Sequence, residues 1–211
     1  MSGTADLEAL DLAALLCSRV CHDLISPVGA IVNGLEVMED GKDEETNAFA
    51  LDLIKKSIKT ASARLQFCRI AFGAAGSATT QIDLGDAEKV GRGFLEDDKT
   101  KLAWNLPRVL LAKNRVKLLL NMLVIAGQVI PRGGVVTVDA EGSGDTMGFK
   151  ITVTGTNPKI PQAVPPLLAG GAGSTVDAHA IQPYYTGLLA RACGMTVGIA
   201  PEGEAVALLA H

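Results

Sequence analysis

The chain has 211 residues, 48 % of them hydrophobic and 20 % charged, which is apolar material enough for one ordinary domain or two small ones and excludes disorder as the main state. Nineteen Lys and Arg against 23 Asp and Glu leave a formal charge of -4 and a pI near 5.4, the wrong sign for a protein held to nucleic acid by phosphate neutralisation. The first residues carry acids and no basic stretch, and no run of about 18 residues is both apolar and uncharged, so neither a secretory leader nor a membrane span is expected and the chain reads as cytoplasmic, with no nucleic acid and no membrane among its partners.

From about Leu7 to Asp40 the chain is one stretch of helix formers, interrupted only by Pro27 and glycines, and it stops at the acidic turn EDGKDEE. A second helix follows at once. In it Leu51, Ile54, Ile58, Ala61, Leu65, Cys68 and Phe72 recur at alternating steps of three and four, the repeat of helices packed in a bundle. A two-helix hairpin cannot cover that much apolar surface by itself, so the missing half is expected to be a second copy of the chain, giving a homodimer built on a four-helix bundle.

After Phe72 the segment GAAGSATT reads as a flexible linker, and the boundary is placed near Gly76, with residues 1–76 forming the hairpin and 77–211 a separate unit. Asn114 to Ile130 is a strongly apolar helix stopped by PRGG. VVTVDAEG and FKITVTG are alternating or β-branched runs joined by a turn around Gly142 to Asp145, and form an antiparallel pair. Pro183 to Cys193 reads as a further helix, and the last residues fit a hairpin turning at Glu202 and Gly203. The fold class is therefore α plus α/β: an N-terminal helical hairpin forming a dimeric four-helix bundle, then an α/β sandwich with helices on one face of a mixed sheet.

Chemistry-bearing groups are few. Cys17, Cys21, Cys68 and Cys193 are too scattered for a disulfide framework and read as reduced thiols. Cys17 and Cys21 lie one helical turn apart, just before His22, but three candidate ligands with no second pair are better explained as a packed helix face, so no metal site is assigned. Of the three histidines, His211 is the last residue and His179 sits in a Gly/Ala/Pro-rich loop; both are taken as inert. His22 differs. At about 100° per residue, Cys17, Val20, Cys21, Leu24, Val28, Ile31 and Leu35 share one face, while Arg19, His22, Ser26, Gly29 and Asn33 form a stripe turned out of the bundle. Gly29 gives that stripe a low spot for a visiting loop. Pro27, five residues past His22 inside a helix that plainly continues, costs about 3 kcal/mol and frees backbone groups beside the histidine, which points to a functional kink.

A solvent-facing imidazole without the second and third members of a triad suits phosphoryl transfer, which asks mainly for in-line positioning and charge neutralisation. In that chemistry Asp23 would orient the imidazole or take its proton, and Arg19 would screen phosphoryl oxygens. On the second helix Lys55, Lys59, Ser62, Gln66 and Arg69 fall on one flank beside the apolar seam, where an acidic partner surface could lie.

The segment CHDLISPVGAI resembles the phospho-acceptor box of histidine kinases: His22, Asp23, Leu24 and Pro27 match its histidine, acid, aliphatic residue and proline in order. The resemblance implies that His22 is the phosphorylated residue, Asp23 the acid beside it, and Ser26 the residue four past the histidine that assists transfer. The second half resembles the kinase ATP-binding domain with its nucleotide equipment missing. Asn121 stands at the first asparagine of the N-box helix, Ile125 where a magnesium-binding asparagine belongs, and Gly155, Asn157 and Lys159 where an Asp and two glycines belong; the glycine-rich loop before PYYTGLLARACGMTV is incomplete. Together the two halves resemble the histidine phosphotransferases of alphaproteobacterial phosphorelays. That resemblance implies a homodimer taking a phosphoryl group from the receiver domain of a hybrid kinase of the CckA type and passing it to response regulators of the CtrA and CpdR type. It implies no cofactor on this chain, with Mg2+ held by the receiver. Two rival readings are a divergent ATP-using histidine kinase and a non-enzymatic module that sequesters response regulators.

Overall fold

A computed structural model describes residues 7–41, 43–73, 80–142, 147–171, 176–177 and 180–211. Helix α1 spans Ala9–Glu39 and α2 spans Glu44–Ala71, folded back on each other as a hairpin. The Asp43 carboxylate starts α2 by accepting from the Thr46 N–H and hydroxyl, both at 2.9 Å, and Glu44, Glu45 and Arg69 sit at the helix ends that favour their charges. α1 is long and apolar enough, by length and composition alone, to cross a bilayer; Arg19, His22 and Asp23 interrupt it, and one of its faces is packed on α2.

The seam between the two helices departs from the sequence expectation. Its buried positions on α1 are Pro27 and Gly34, and on α2 they are Ala50, Ile54, Ser57, Phe67, Cys68 and Ala71. Gly34 sits so close to α2 that a Cβ there would lie 2.6 Å from Ile54 Cγ1. The helices approach through small residues, and the larger apolar side chains are displaced to one side. The seven-position stripe of α2 therefore splits: Ile54 and Cys68 face α1, while Leu51, Ile58 and Leu65 stand exposed one heptad apart. On α1, Cys17, Cys21, Val28 and Leu35, expected in the packed face, are likewise exposed within the single chain.

The expected boundary at Gly76 lies outside the described residues, as do His179 and most of the turn from Gly142 to Asp145. The second half runs β1 (Gln81–Asp83), α3 (Leu84–Leu95), β2 (Thr100–Trp104), β3 (Leu110–Ala112), α4 (Lys113–Val129), β4 (Gly134–Glu141), β5 (Gly148–Gly155), α5 (Val164–Leu168), α6 (Ile181–Ala192), β6 (Val197–Glu202) and β7 (Ala205–Ala210). A five-stranded mixed sheet has the order β2-β4-β5-β7-β6, parallel at β2–β4 and antiparallel elsewhere, and β1 pairs with β3 in a small separate ladder. The apolar helix, the central antiparallel pair, the late helix and the final hairpin fall where the sequence places them; α3 and the short strands β1 to β3 are not among the expected elements.

α4 is buried almost all round, with Leu118, Leu119, Leu120, Met122, Leu123 and Ile125 sealed among the largest core side chains. It lies between the sheet and the helices α3, α6 and the end of α2. The hairpin is built into this core and not merely tethered to it. Phe67 and Ala71 of α2 are fully buried there, and the Phe67 ring stacks on Phe94 with centroids 4.0 Å apart. At the same open end of the hairpin, Leu12, Leu15 and Leu16 of α1 pack against a small cluster of Leu167, Ile181 and Tyr184, and the Tyr184 hydroxyl accepts the Leu7 N–H at 3.0 Å.

Candidate functional site

The site forms on the flank of α1 that borders α2. His22 projects from the middle of α1 with 66 % of its side chain exposed, while its neighbour Asp23 is only 13 % exposed. The Asp23 carboxylate is held on both oxygens. Oδ2 accepts from Arg19 Nε at 3.1 Å, one turn earlier, and Oδ1 lies 3.4 Å from His22 Nδ1. A carboxylate at that ring nitrogen favours the tautomer with the proton on Nδ1, leaving the Nε2 lone pair for an electrophile. A solvent-facing ring beside a buried carboxylate, with a cation one turn away, is an arrangement that a large partner can reach.

The α2 side of the site was not legible in the sequence. The Arg64 guanidinium crosses from α2 and donates through Nη1 to the Asp23 backbone carbonyl at 2.5 Å. Below it, Cys68 is buried, and its thiol is pushed up to about 11, chiefly by that burial and next by the Asp23 charge, with Arg19 and Arg64 pulling the other way. The thiol is thereby inert as a nucleophile at neutral pH.

The remaining residues of the α1 stripe are placed as follows. Ser26 and Asn33 are exposed, and Gly29 is half-buried, with open space where a Cβ would stand. Arg19, expected to face a phosphoryl group, is turned onto Asp23 instead and is 13 % exposed. Ser26 borders a shallow hollow with Pro27, Ala30, Lys56, Ser57, Thr60 and Arg64. The expected α2 flank lies elsewhere: Lys59, Ser62 and Gln66 line a groove against Lys89, Val90 and Gly93 of α3, Gln66 Nε2 donates to Ser62 Oγ at 3.1 Å, and Lys55 is exposed beyond it. On one chain, then, the polar side chains beside Ser26 include Lys56, Thr60 and Arg64, roughly 130° round α2 from Lys55, Lys59, Ser62 and Gln66.

In the second half, Asn121 is fully buried and its amide is spent on packing. Nδ2 donates to the carbonyls of Lys117 at 2.8 Å and Ala71 at 3.1 Å, and Oδ1 accepts from Gln182 Nε2 at 2.6 Å. It ties α2, α4 and α6 together. Ile125 is sealed in the core, and Gly155, Asn157 and Lys159 line an open hollow beside the β6–β7 turn. Among the described residues no group of three or more His, Cys, Asp or Glu is placed to hold a metal ion.

Known proteins match the chain and its fold over the whole length. The family model "histidine phosphotransferase C-terminal domain" matches residues 84–205. The protein phosphotransferase ChpT of Brucella abortus (strain 2308) is 52 % identical over 212 residues, covering 100 % of both chains. A solved structure described as a bacterial phosphotransferase superposes with a TM-score of 0.90 at 50 % identity, again over 100 % of each chain. More distantly, the histidine kinase domain of a blue-light activated histidine kinase from Erythrobacter litoralis gives a TM-score of 0.47 at 14 % identity over 87 % of this chain and 94 % of that one, too far to carry residue roles across. A helical hairpin leading into an α/β sheet domain, matched over its full length by proteins of one kind, places the chain in the histidine phosphotransferase family.

Proposed function

We propose that His22 is the residue through which this phosphotransferase carries a phosphoryl group between receiver-domain aspartates. The observation that carries the reading is the exposed His22 ring with its Nδ1 side facing a buried, Arg-pinned Asp23 carboxylate. His22 Nε2 attacks the phosphorus of an aspartyl phosphate in line. The P–N bond forms as the acyl P–O bond breaks, the receiver carboxylate leaves, and the charge gained by the ring is met by Asp23 across Nδ1. In the second step a receiver carboxylate attacks the same phosphorus, the P–N bond breaks and the imidazole is restored. No nucleotide enters either step. Mg2+ belongs to the acidic pocket of the receiver and none to this chain. Ser26, Gly29 and Asn33 form the surface the receiver meets on α1, with Lys56 and Thr60 beside Ser26 on α2; Lys55, Lys59, Ser62 and Gln66, on the far side of α2, do not join it on the same chain.

The protein works as a homodimer in the cytoplasm. Val28 and Leu35 on α1, with Leu51, Ile58 and Leu65 on α2, expose apolar surface on the face of the hairpin turned away from Arg64, a face that a second copy would cover. The family supports phosphorelay partners in general; in this reading the donor is a hybrid kinase receiver of the CckA type and the acceptors are response regulators of the CtrA and CpdR type. Incubation with a phosphorylated receiver and Mg2+ should label the wild type, and His22→Ala should lose acceptance by at least about 1,000-fold while still folding. Labelling of the wild type by ATP alone, or undiminished labelling of His22→Ala, overturns the reading.

A further inference from the structure

Resting on the reading of His22 as the phosphoryl carrier, we propose that Arg64 is a positioning residue for that reaction, supplying from α2 the hydrogen bond that Pro27 withholds. In an α-helix the carbonyl of residue i is bonded by the N–H of residue i+4. The carbonyl of Asp23 therefore belongs to residue 27, and proline has no N–H to give. Pro27 is buried against α2, so water has poor access to the gap from that side. Arg64 fills it: Nη1 reaches the Asp23 oxygen at 2.5 Å across the two helices, from a residue 41 positions later in the chain.

Asp23 is consequently gripped at both ends. Arg19 Nε holds the carboxylate at 3.1 Å, and Arg64 holds the main-chain carbonyl of the same residue. The carboxylate is what lies 3.4 Å from His22 Nδ1, so the backbone grip fixes how Asp23 is presented to the ring. Charge-assisted hydrogen bonds of this kind are among the strong ones, and a half-buried carbonyl left without a donor is costly. Without Arg64 the turn holding His22 and Asp23 loosens, and the ring samples both tautomers. Ser26, Ser57 and Thr60 surround the same hollow, and Arg64 is the cation that reaches across it to the Asp23 carbonyl.

A double-mutant cycle on the full-length protein tests this, with Arg64→Met, Pro27→Ala and the pair compared with wild type. Transfer is followed in single turnover from a phosphorylated receiver, and the His22 ring by nitrogen NMR. Arg64→Met should slow transfer about tenfold and move the ring toward mixed tautomers. In the Pro27→Ala background the new N–H at position 27 satisfies the carbonyl, so the same substitution should cost about twofold or less. Equal losses in both backgrounds overturn the proposal, because Arg64 would then act through its charge or packing; so does an unchanged rate and tautomer in Arg64→Met alone. Should Arg64→Met prove too unstable for turnover, the cycle is read in thermal unfolding, where additive losses count against it. His22→Ala in the same assay keeps the two readings apart: if it accepts phosphoryl as wild type does, His22 is not the carrier, while the NMR and unfolding cycles still decide on Arg64.

Discussion

Asp23 does more work in this fold than its place beside a histidine indicates. Its side chain orients the ring, its carbonyl is the partner of Arg64, and its charge is felt by Cys68 underneath. The sequence states half of this. Pro27 announces that the carbonyl four residues earlier lacks a donor, but nothing along the chain says which residue of another helix provides one, because that depends on how α2 is rotated. Cys68 offers a pH test of the packing. Its thiol rises from an ordinary value of 9.0 to about 11 in the folded state, first because it is buried and then because of the Asp23 charge. An acid whose folded pKa is raised stabilises the fold fully below its unfolded value and loses that contribution as pH climbs through the window, here from about 9 to 11. Between pH 8 and 11, chemical denaturation should show the wild type losing about 2 kcal/mol more than Cys68→Ala. Parallel curves would mean that Cys68 ionises as freely when folded as when unfolded.

At the scale of helices and strands, periodicity located the elements and small residues decided how they meet. The alternating three-and-four spacing of α2 correctly marked it as a bundle helix, yet it merged two faces into one, since a contact seam and a neighbouring exposed seam differ by less than a quarter turn. What separates them is Gly34, whose missing side chain lets Ile54 close on α1. Gly34→Val should force Ile54 and the Ala50 backbone aside and cost about 2 kcal/mol, seen as a lower unfolding midpoint; a variant as stable as wild type would show that the helices have room to part. Gly29 to Ala, one face away, meets nothing within 4 Å. α3 escaped notice although Leu84, Ala87, Val90 and Phe94 recur along it at steps of three and four: Gly85, Gly91 and Gly93 read as helix breakers, and Gly91 is there because a Cβ would come 3.0 Å from Leu123 Cδ1. α4 shows the opposite case: a run apolar on every side could only be an interior helix, and it is one.

For the molecule as a whole, the fold class was legible in the sequence; what the reading of two separate units missed is that the hairpin and the α/β part share a core. Phe67 and Ala71 belong to the hairpin by sequence and to the α/β interior by packing, and Asn121, read as a remnant of nucleotide chemistry, is a clasp on the Ala71 carbonyl. The exposed side of the hairpin is the second whole-molecule feature. Leu35 is 48 % and Leu65 56 % exposed on a face that no other part of the described chain covers. Leu35→Glu should turn the proposed homodimer into monomers in sedimentation at micromolar concentration with little change in the fold of each chain, since a charge within an apolar contact leaves an unpaired buried ion. Dimers that persist with unchanged affinity would remove Leu35 from the contact.

The stack of Phe67 on Phe94 also governs how the protein can be taken apart. Cutting after the second helix would strip the receiving side of its aromatic plug and leave the donor strip with bare phenyl and alanyl surface at its base. The helical hairpin is thus no transplantable cassette: engineers who graft it onto another scaffold must bring along the α3 wall or rebuild an equivalent socket, and an orphaned C-terminal half would clump around the vacated slot.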